Sequence, residues 1–598
     1  MQFKSLSTFE KKAIFNKSPS SVLPKYIVFV LVFLLFACTD HGSAILDSGN
    51  NDYALYDERG DFHRFSYYNN SEAIVLFVQG NGCPMVRNAI TDFHALVEKY
   101  KDKGFTFFMI NSNLQDHREH ILKEAIDFDF QIPVLEDSAQ IIADELDITV
   151  TAEAIVLDPI TREILFRGPI NNRLDYGSSK DNATQFYLKD VLDGLLNQIE
   201  LKEKKIPAKG CKVTRLRSTE EENVLTYTKD IAPLLAGKCV ACHNTNGIGP
   251  WAMTNYDAIN GWSAMIKEVL LSKRMPPWSI DPTIGEFQNS FALEDSSARK
   301  IIRWIDEGRV YGEGEDLLAS IEPISKEWKA GIPDTSIVLK PEKIPATGIV
   351  PYRFQEFTLN LKQDTYLSKI EILPGNAKVV HHINLSVKRK KKDMAAFGRK
   401  EVKHVDNYIT FSAAENQVTE YPENGGYLIE KDATILVQIH YAVTGKEEED
   451  QTRIGLHYYD GIPEKQVHSV ATSNYEFVVP PYGKDIIVKA SDTTTRDIKL
   501  YYLSPHMHYR GKSIYISVEP PGGKEERIIS STDHNFNWQR FYRLKEPLIV
   551  LKGSIIRVEG VFDNTYQNRF NPDPSKELRF GRNSVDEMMI GFYNYTIE

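Results

Sequence analysis

The hydrophobic and polar positions divide the chain into segments of different periodicity. In the first segment, the apolar runs Ala73–Val78, Phe105–Ile110 and Glu153–Leu157 have the length and composition of buried strands. Between the first two runs, Asn88–Tyr100 has the apolar spacing of a helix. Strands that alternate with helices predict an α/β layer over about residues 50–200.

The middle and the end of the chain follow two other patterns. Residues 201–222 are rich in Lys, Arg and Glu, which is typical of a linker. Residues 223–312 have helical spacing, and residues 313–350 contain the Gly, Pro and Lys of a second linker. From about residue 350 onward, short alternating strands such as Ile435–Ile439 are separated by Pro, Gly and Asp turns, which predicts β-sandwiches.

The N-terminal segment has the pattern of an export signal. Five lysines within residues 1–25 precede the apolar run Tyr26–Ala37, which ends at Cys38. An apolar run of this length suits the core of a signal peptide, with a short membrane anchor as the alternative. The sequence Leu35-Phe36-Ala37-Cys38 resembles a bacterial lipobox, which implies lipidation of Cys38. The prediction is an exported bacterial lipoprotein, held by acyl chains to a periplasm-facing membrane or the cell surface.

Length and composition narrow the classes of function. The 598 residues suggest about three to five domains. A formal net charge of -11 argues against general nucleic-acid binding. Hydrophobic residues make up 42% and charged residues 26%, which excludes wholesale disorder and a polytopic membrane protein. Five cysteines in this length exclude a disulfide-dense scaffold, so each cysteine needs its own explanation.

The first internal cysteine lies between a predicted strand and a predicted helix, in Gly80-Asn81-Gly82-Cys83-Pro84. A thiol near a helix N-terminus is stabilised as a thiolate by the helix dipole. Residues of about 50–215 resemble the redoxin branch of the thioredoxin-like fold, although Val86 replaces the second Cys of a Cys-x-x-Cys pair. Cys211 is the plausible partner thiol of Cys83, in a redox-active or a structural disulfide. The alternative is a docking domain without turnover.

The second cysteine motif, Cys239-Val-Ala-Cys242-His243, is the attachment pattern of a c-type haem. Its two thiols add to the haem vinyl groups, and the adjacent histidine lies under the iron. A zinc site would need a second Cys/His pair, and no cysteine follows Cys242. A bare dithiol would give His243 no role. Haem c is therefore the predicted cofactor of a cytochrome c-like domain.

The second axial ligand of this haem is expected later in the same segment, where Met253, Met265 and Met275 are the candidates. Met265 has helical spacing and is expected in the core. Pro276 and the next proline prevent a helix from continuing, which leaves Met275 on a loop. Met275 is the predicted ligand, and His/Met ligation suits electron transfer because it raises the reduction potential.

The β half contains the histidine groups His381-His382, His440 and His506-Met507-His508, with Met588 near its end. Residues i and i+2 of a strand face the same way, so His506 and His508 can bind one metal. His381 and His382 need a strand end or a bulge to do so. Three imidazoles suit copper or zinc, whereas two imidazoles with a thioether favour Cu(I). Isolated histidines such as His534 are more often structural.

The order of these groups resembles the copper type II, ascorbate-dependent monooxygenases, which include the peptidylglycine and dopamine hydroxylating enzymes. The resemblance covers about residues 340–598 and is carried by the segments Val380–Ile383, Gln438–Tyr441, Pro505–Lys512 and Asp586–Met588. It implies two jelly-roll-like sandwiches that each bind one copper ion. The electron-supplying copper would be held by His381, His382 and His440, and the copper that binds dioxygen by His506, His508 and Met588. Which copper His440 serves is left open.

These segments together predict a multidomain fold. The expected domains are a signal peptide at 1–38, a thioredoxin-like α/β redoxin domain at 45–205, a small all-α cytochrome c-like domain at 222–315, and two all-β jelly-roll-like sandwiches at 335–470 and 471–598.

The predicted function is copper-dependent hydroxylation of a C–H bond with O2, on a small-molecule or peptide substrate. Electrons would come from a small reductant or redox protein through the haem. A first alternative is a membrane-tethered haem and copper protein that transfers electrons or binds metal without oxygenation. A second is a thiol-disulfide reductase or peroxidase that acts through Cys83.

Overall fold

The computed structural model describes residues 52–598 except 177, 202, 217–223, 349, 389–396, 398–406 and 414–416. The predicted signal peptide and the predicted lipidation site Cys38 lie outside the described residues. Among the residues that are described, no helix has the length and apolar character needed to cross a bilayer.

A seven-stranded sheet with helices forms the first region, which confirms the predicted α/β layer. Its strands run in the order β2-β1-β5-β4-β3-β6-β7, and β3, β4 and β5 are parallel. The strands are β1 (Ala54–Asp57), β2 (Phe62–Arg64), β3 (Ala73–Gln79), β4 (Phe105–Asn111), β5 (Val134–Glu136), β6 (Ala154–Leu157) and β7 (Ile164–Gly168), followed by the small pair β8 (Leu174–Asp175) and β9 (Ser178–Ser179). The helices are α1 (Pro84–Tyr100), α2 (Arg118–Asp127), α3 (Ile141–Glu145) and α4 (Tyr187–Leu196), with 3-10 turns at Phe65–Tyr68 and Lys101–Lys103.

The predicted strand Ala73–Val78 is β3, in which every residue is buried. The predicted helix Asn88–Tyr100 starts four residues earlier, at Pro84. Proline is well tolerated in the first turn of a helix, where its missing N–H has no partner to lose. The chain therefore enters α1 directly from Cys83, which is the N-cap residue.

Short helices form the second region. They are a π-helical turn at Tyr227–Ile231, α5 (Ala232–Lys238), α6 (Tyr256–Gly261), α7 (Ser263–Leu271), α8 (Asp295–Asp306) and a 3-10 turn at Leu317–Ser320. Leu235 of α5 and Ile301 of α8 share one apolar core with Leu76 of β3 and Ile110 of β4. A separate all-α cytochrome c-like domain is therefore not evident among the described residues. Helices this short bury little apolar surface by themselves, which explains why they pack against the sheet.

The third region is rich in β-strands, as predicted. Its strands are β10 (Thr335–Val338), β11 (Glu342–Ile344), β12 (Arg353–Thr358), β13 (Thr365–Leu373), β14 (Val380–Lys388), β15 (Tyr408–Ala413), β16 (Val418–Glu420), β17 (Gly425–Ile429), β18 (Thr434–Tyr441), β19 (Glu448–Asp450), β20 (Arg453–Tyr458), β21 (Lys465–Ser473), β22 (Val478–Val479), β23 (Ile486–Thr493), β24 (Ile498–Met507), β25 (Gly511–Glu519), β26 (Glu526–Ser531), β27 (Tyr542–Val550), β28 (Ile555–Phe562), β29 (Leu578–Arg579) and β30 (Met589–Ile597), with a 3-10 turn at Phe536–Trp538.

One long sheet runs through this β-rich region, in the order β10-β20-β13-β17-β21-β30-β24-β27, with β16 beside β13. The sheet β12-β18-β14-β15 packs on its first half, and the sheet β23-β28-β25-β26 packs on its second half, each around its own core. The parallel pair of β17 and β21 joins the halves. The predicted boundary at residues 470 and 471 falls inside β21, because this strand belongs to the shared sheet.

Candidate functional sites

The first candidate site is a pair of thiols at the N-terminus of α1. The sulfur atoms of Cys83 and Cys211 lie 2.7 Å apart. Thr151 Oγ1 lies 3.0 Å from the Cys83 sulfur and accepts the N–H of Cys211 at 2.9 Å. Because that oxygen accepts from Cys211, its own proton is available to the Cys83 sulfur. The structure thus brings together the two cysteines that the sequence paired.

The surroundings of the two thiols separate their acidities. Burial alone would raise the pKa of Cys83, but hydrogen bonds from Cys211, Thr151 and the N–H of Val86 outweigh it and lower that pKa. Burial and the interaction with Cys83 raise the pKa of Cys211. Cys83 is therefore the more acidic of the two thiols.

A polar clamp fixes the loop in front of Cys83. The N–H of Gly82 donates to Glu124 Oε1 at 3.1 Å, and Arg87 binds the same carboxylate through two hydrogen bonds of 2.8 and 2.7 Å. Gly82 has a φ of +74°, a conformation that glycine adopts at little cost. The sequence analysis missed Thr151, Glu124 and Arg87, because all three act through contacts between distant segments.

The second candidate site is the Cys-x-x-Cys-His turn after α5. The Cys239 carbonyl accepts the N–H groups of Cys242 at 3.1 Å and His243 at 2.9 Å. His243 Nδ1 lies 3.0 Å from the carbonyl oxygen of Trp251. Since a carbonyl can only accept, Nδ1 carries the proton and Nε2 keeps its lone pair. A Cβ at Gly249 would come within 2.9 Å of the His243 ring, so glycine permits this close approach.

This turn borders a cavity of about 1040 Å³, at the upper end of the size range of ligand pockets. Met253, Met265 and Met275 all line the cavity. Met275 lies on the loop after α7, as predicted. The expectation that Met265 belongs to the core is wrong, because the residue is 46% exposed on α7. All three methionines that the sequence proposed as axial ligands therefore border the same cavity as Cys239 and His243.

The third candidate site is a cluster of three histidines on β14 and β18. His382 and His440 are direct partners across the two strands, and a shift in register between Val380 and His382 lets His381 approach them. The candidate ligand nitrogens all lie within 4.8 Å of one another. Of the two arrangements that would let His381 and His382 share a metal, a strand end or a bulge, the structure has a shift in register, and His440 lies with the histidine doublet.

The electrostatics of this cluster favour a metal over protons. Burial, with the neighbouring His440, lowers the pKa of His381 to about 3, and burial lowers the pKa of His440 to about 4. Burial also lowers the pKa of His382 well below its ordinary value. Among the described residues, the buried His440 Nδ1 has no hydrogen-bond partner. Neutral imidazoles with a free lone pair are the form in which histidine binds metals.

A second histidine set lies at the end of β24. The rings of His506 and His508 are 5.2 Å apart, in agreement with their predicted shared face. Met507 of β24 pairs with Met589 of β30. Continuing this antiparallel register by one residue brings Met588 opposite His508. The structure therefore brings the late methionine to the end of β24, where His506 and His508 flank Met507.

Glu587 and Arg510 fix the backbone beside Met588. The buried Glu587 carboxylate accepts the N–H groups of His508 at 3.1 Å and Arg510 at 2.7 Å. His508 Nδ1 lies 3.1 Å from the carbonyl oxygen of Asp586, so it donates its proton there and leaves Nε2 free. Arg510 donates through Nη1 to the carbonyl of Val585 at 2.8 Å. These hydrogen bonds connect His508 and Arg510 to the segment Val585–Glu587, which directly precedes Met588.

Aromatic residues of the turn Phe536–Trp538 lie between the sites. The Phe536 ring centroid is 5.3 Å from that of His440 and 5.6 Å from that of His508. The Trp538 ring lies 5.5 Å from His381, and both residues line the cavity that Cys239 borders. The sequence analysis missed Phe536 and Trp538. These two aromatic residues alternate with the polar Asn535 and Asn537, and that pattern could have pointed to them.

Comparisons with known proteins identify the first region. Residues 50–163 match the AhpC/TSA family, so this part of the chain is an AhpC/TSA redoxin domain with a thioredoxin-like fold. A search of curated proteins found no match.

Similar solved structures correspond to part of this chain. An uncharacterized conserved protein from Geobacillus kaustophilus is 25% identical over 28% of this chain and 92% of its own, with a TM-score of 0.26. Peroxidoxin BcpB from Mycobacterium tuberculosis is 18% identical over 25% of this chain and 94% of its own, with a TM-score of 0.20. A thiol-disulfide oxidoreductase from Bacteroides fragilis is 20% identical over 20% of this chain and 88% of its own, with a TM-score of 0.18.

Proposed function

We propose that this chain is an oxidoreductase whose β-rich region hydroxylates a C–H bond with O2 at two copper ions, with electrons supplied through a c-type haem. The observation that carries the proposal is the convergence of His381, His382 and His440, whose ligand nitrogens lie within 4.8 Å of one another. A buried site with a free His440 Nδ1 fits a metal that binds imidazole.

The two sets of side chains differ in the way that two unlike copper sites require. His381, His382 and His440 would hold one ion through three imidazoles, and His506, His508 and Met588 would hold the other with a softer thioether. Bound copper would supply the one-electron chemistry that C–H hydroxylation with O2 needs. Glu587 orients the His508 backbone, and Phe536 excludes water from the space between the sets.

The residues of the Cys-x-x-Cys-His turn fit a covalent haem. Cys239 and Cys242 would form its thioether links, and His243 would offer Nε2 because its Nδ1–H donates to Trp251. His381 and Trp538 line the same cavity as these residues, which supports a haem as the electron source of the three-histidine site. In this proposal, the cytochrome c-like function belongs to the helical region without requiring a separate domain.

The test of this function is O2 consumption coupled one-to-one to the formation of a hydroxylated product by the copper- and haem-loaded chain. Met588→Ile removes the thioether while keeping an apolar side chain of similar size, so it should abolish hydroxylation and leave the haem spectrum intact. Met85→Ile is a matched control, because Met85 belongs to α1 and lies in neither the histidine sets nor the wall of the cavity beside the Cys-x-x-Cys-His turn. Full hydroxylation by Met588→Ile would overturn the assignment of this site.

We propose a second function for the redoxin domain, reversible oxidation of Cys83 and Cys211. The observation in its favour is the 2.7 Å distance between their sulfur atoms, with Thr151 beside Cys83. Oxidation forms one S–S bond and passes two electrons and two protons to a disulfide or peroxide substrate. The AhpC/TSA family match of residues 50–163 supports this chemistry.

The dithiol function is tested by turnover of a disulfide or a peroxide with a thiol reductant. Cys83→Ser should abolish turnover because it removes the thiol with the lowered pKa. Met588→Ile is the matched control, since it alters the β-rich region and leaves both thiols in place. Unchanged turnover in Cys83→Ser would contradict the proposal.

A further inference from the structure

The cavity beside the Cys-x-x-Cys-His turn carries an excess of positive charge. Eight lysine and arginine side chains line it, whereas Asp533 and Glu448 are its only carboxylates in the part of the chain that the structure describes. Glu448 is already engaged by Lys446, at 3.3 Å. A partly enclosed cavity whose wall has more positive than negative side chains favours an anionic ligand over a neutral one.

Three arginines from different regions meet in this wall. Arg64 comes from β2 of the redoxin domain, Arg274 follows α7, and Arg569 belongs to the loop between β28 and β29. Burial lowers the pKa of the Arg569 guanidinium, and the positive charges of Arg64 and Arg274 lower it further. Arg64 and Arg274 therefore each lie close enough to repel the Arg569 guanidinium.

The carboxylates near these arginines are already occupied. Asp533 pairs with the buried Arg64 at 3.1 Å and accepts the hydroxyl of Tyr67 at 2.5 Å. Arg274 pairs with Glu268 and keeps further N–H donors. Among the residues that the structure describes, no carboxylate forms an ion pair with Arg569, and its guanidinium lies 4.7 Å from the centroid of the Phe570 ring. The cavity thus presents guanidinium donors that the protein itself does not satisfy.

We propose that Arg569 and Arg274 bind the two propionate carboxylates of the haem attached at Cys239 and Cys242. This inference rests on the proposed haem and names the residues that complete its pocket from outside the helical region. A haem carries two carboxylates on an otherwise apolar ring, and guanidinium groups bind carboxylates strongly, often through two parallel hydrogen bonds. The apolar residues Ile266, Leu270 and Trp278 of the same cavity suit the rest of the ring.

The test measures the haem midpoint potential in the full-length chain after covalent haem attachment. Arg569→Gln and Arg274→Gln should each make the potential more negative, because a lost positive charge favours the oxidised haem. Arg569→Lys keeps the positive charge, so its haem potential should stay close to that of the wild-type chain. Arg579→Gln is the matched control, since Arg579 is exposed, pairs with Glu577 at 2.8 Å and does not line the cavity.

Resonance Raman spectra provide a second readout. The propionate bending bands should shift in Arg569→Gln and not in Arg579→Gln. Haem-loaded variants in which neither the potential nor these bands differ from the control would overturn this inference alone. A wild-type chain that acquires no covalent haem would overturn both this inference and the proposed electron supply.

Discussion

The redoxin domain and the β-rich region each assemble a site from distant residues, but they leave those residues in different states. In the redoxin domain, Cys83 and Cys211 contact each other, and Thr151 provides hydrogen bonds to both. In the β-rich region, His381, His382 and His440 surround a common point, and His440 Nδ1 has no partner among the described residues. The two thiols and Thr151 bind one another, whereas the histidine site still has an imidazole nitrogen, His440 Nδ1, that can bind a ligand.

This difference indicates what each site needs in order to act. A dithiol stores two electrons in its own sulfur atoms and requires only a substrate to exchange them with. Neutral buried imidazoles store no electrons themselves, but their lone pairs can bind a metal that does. Variants that break one site should therefore change thiol chemistry in the first region and metal content in the second.

The largest expected effect is the loss of one metal ion from the three-histidine site. His440→Ala should reduce copper from about two ions to about one per chain, because two imidazoles alone hold copper weakly. Elemental analysis after dialysis measures the change. His120→Ala, an exposed histidine of α2, is the control and should keep both ions. Equal copper in the two variants would contradict the role of His440.

The next largest effect concerns the free energy of unfolding. It should fall with rising pH in the redoxin domain and with falling pH in the β-rich region. Burial raises the pKa of Asp137 to about 6, so the folded redoxin domain favours its neutral form and loses stability as pH rises from about 4 to 6. Burial lowers the pKa of His534 to about 4, so the β-rich region loses stability as pH falls from about 6.5 to 4. Each effect is at most about 3 kcal/mol.

Thermal unfolding followed separately in the two regions measures these slopes. Asp137→Asn should reduce the loss of stability that the redoxin domain shows at rising pH. His534→Gln should reduce the loss of stability that the β-rich region shows at falling pH. The two variants serve as controls for each other. If both flattened the same limb of the pH profile, the two buried groups would not titrate as described.

A smaller effect is expected within the dithiol site. Cys211→Ala removes the hydrogen bond to the Cys83 sulfur and should raise the pKa of that thiol. Alkylation of Cys83 at neutral pH, followed by mass spectrometry, should slow on the order of tenfold. Met588→Ile should leave this rate unchanged. A faster reaction in Cys211→Ala would mean that Cys211 shields Cys83 instead of activating it.

The smallest effect is that of the hydroxyl beside the thiols. Thr151→Val keeps the shape of the side chain and removes the hydrogen bond to Cys83, so alkylation should slow by roughly threefold. Thr161→Val changes an exposed hydroxyl in the same region and is the matched control. An unchanged rate in Thr151→Val would show that the lowered pKa of Cys83 depends on its other hydrogen bonds.

Much of the fold could be predicted because periodicity is a local property. The apolar run of β3 and the helical spacing of α1 were recognised, and the strand period indicated that His381 and His382 would need a strand end or a bulge to approach one metal. The packing of the helical region onto the redoxin sheet could not be predicted, because the contact of Leu235 with the core of β3 depends on tertiary packing. The same reason explains why the predicted boundary at 470 fell inside β21.

For the candidate sites too, local features could be predicted from the sequence and tertiary contacts could not. Residue types at fixed spacing were enough to select Cys83, the Cys-x-x-Cys-His turn and the histidine sets. The side chains that surround these groups, such as Thr151, Glu124 and Arg87, contact them across distant segments and carry no local signature. Their roles depend on the register and packing of whole elements, which a single sequence does not specify.

The most direct test of the central claim is the metal content of the full-length chain after haem attachment and exposure to copper and zinc together. Two histidine sets and one Cys-x-x-Cys-His turn predict two copper ions and one haem iron per chain, with zinc excluded from the Met588 site. A chain that retains its haem but binds one copper or none, or holds zinc at both sites, would contradict the account of a two-copper oxygenase.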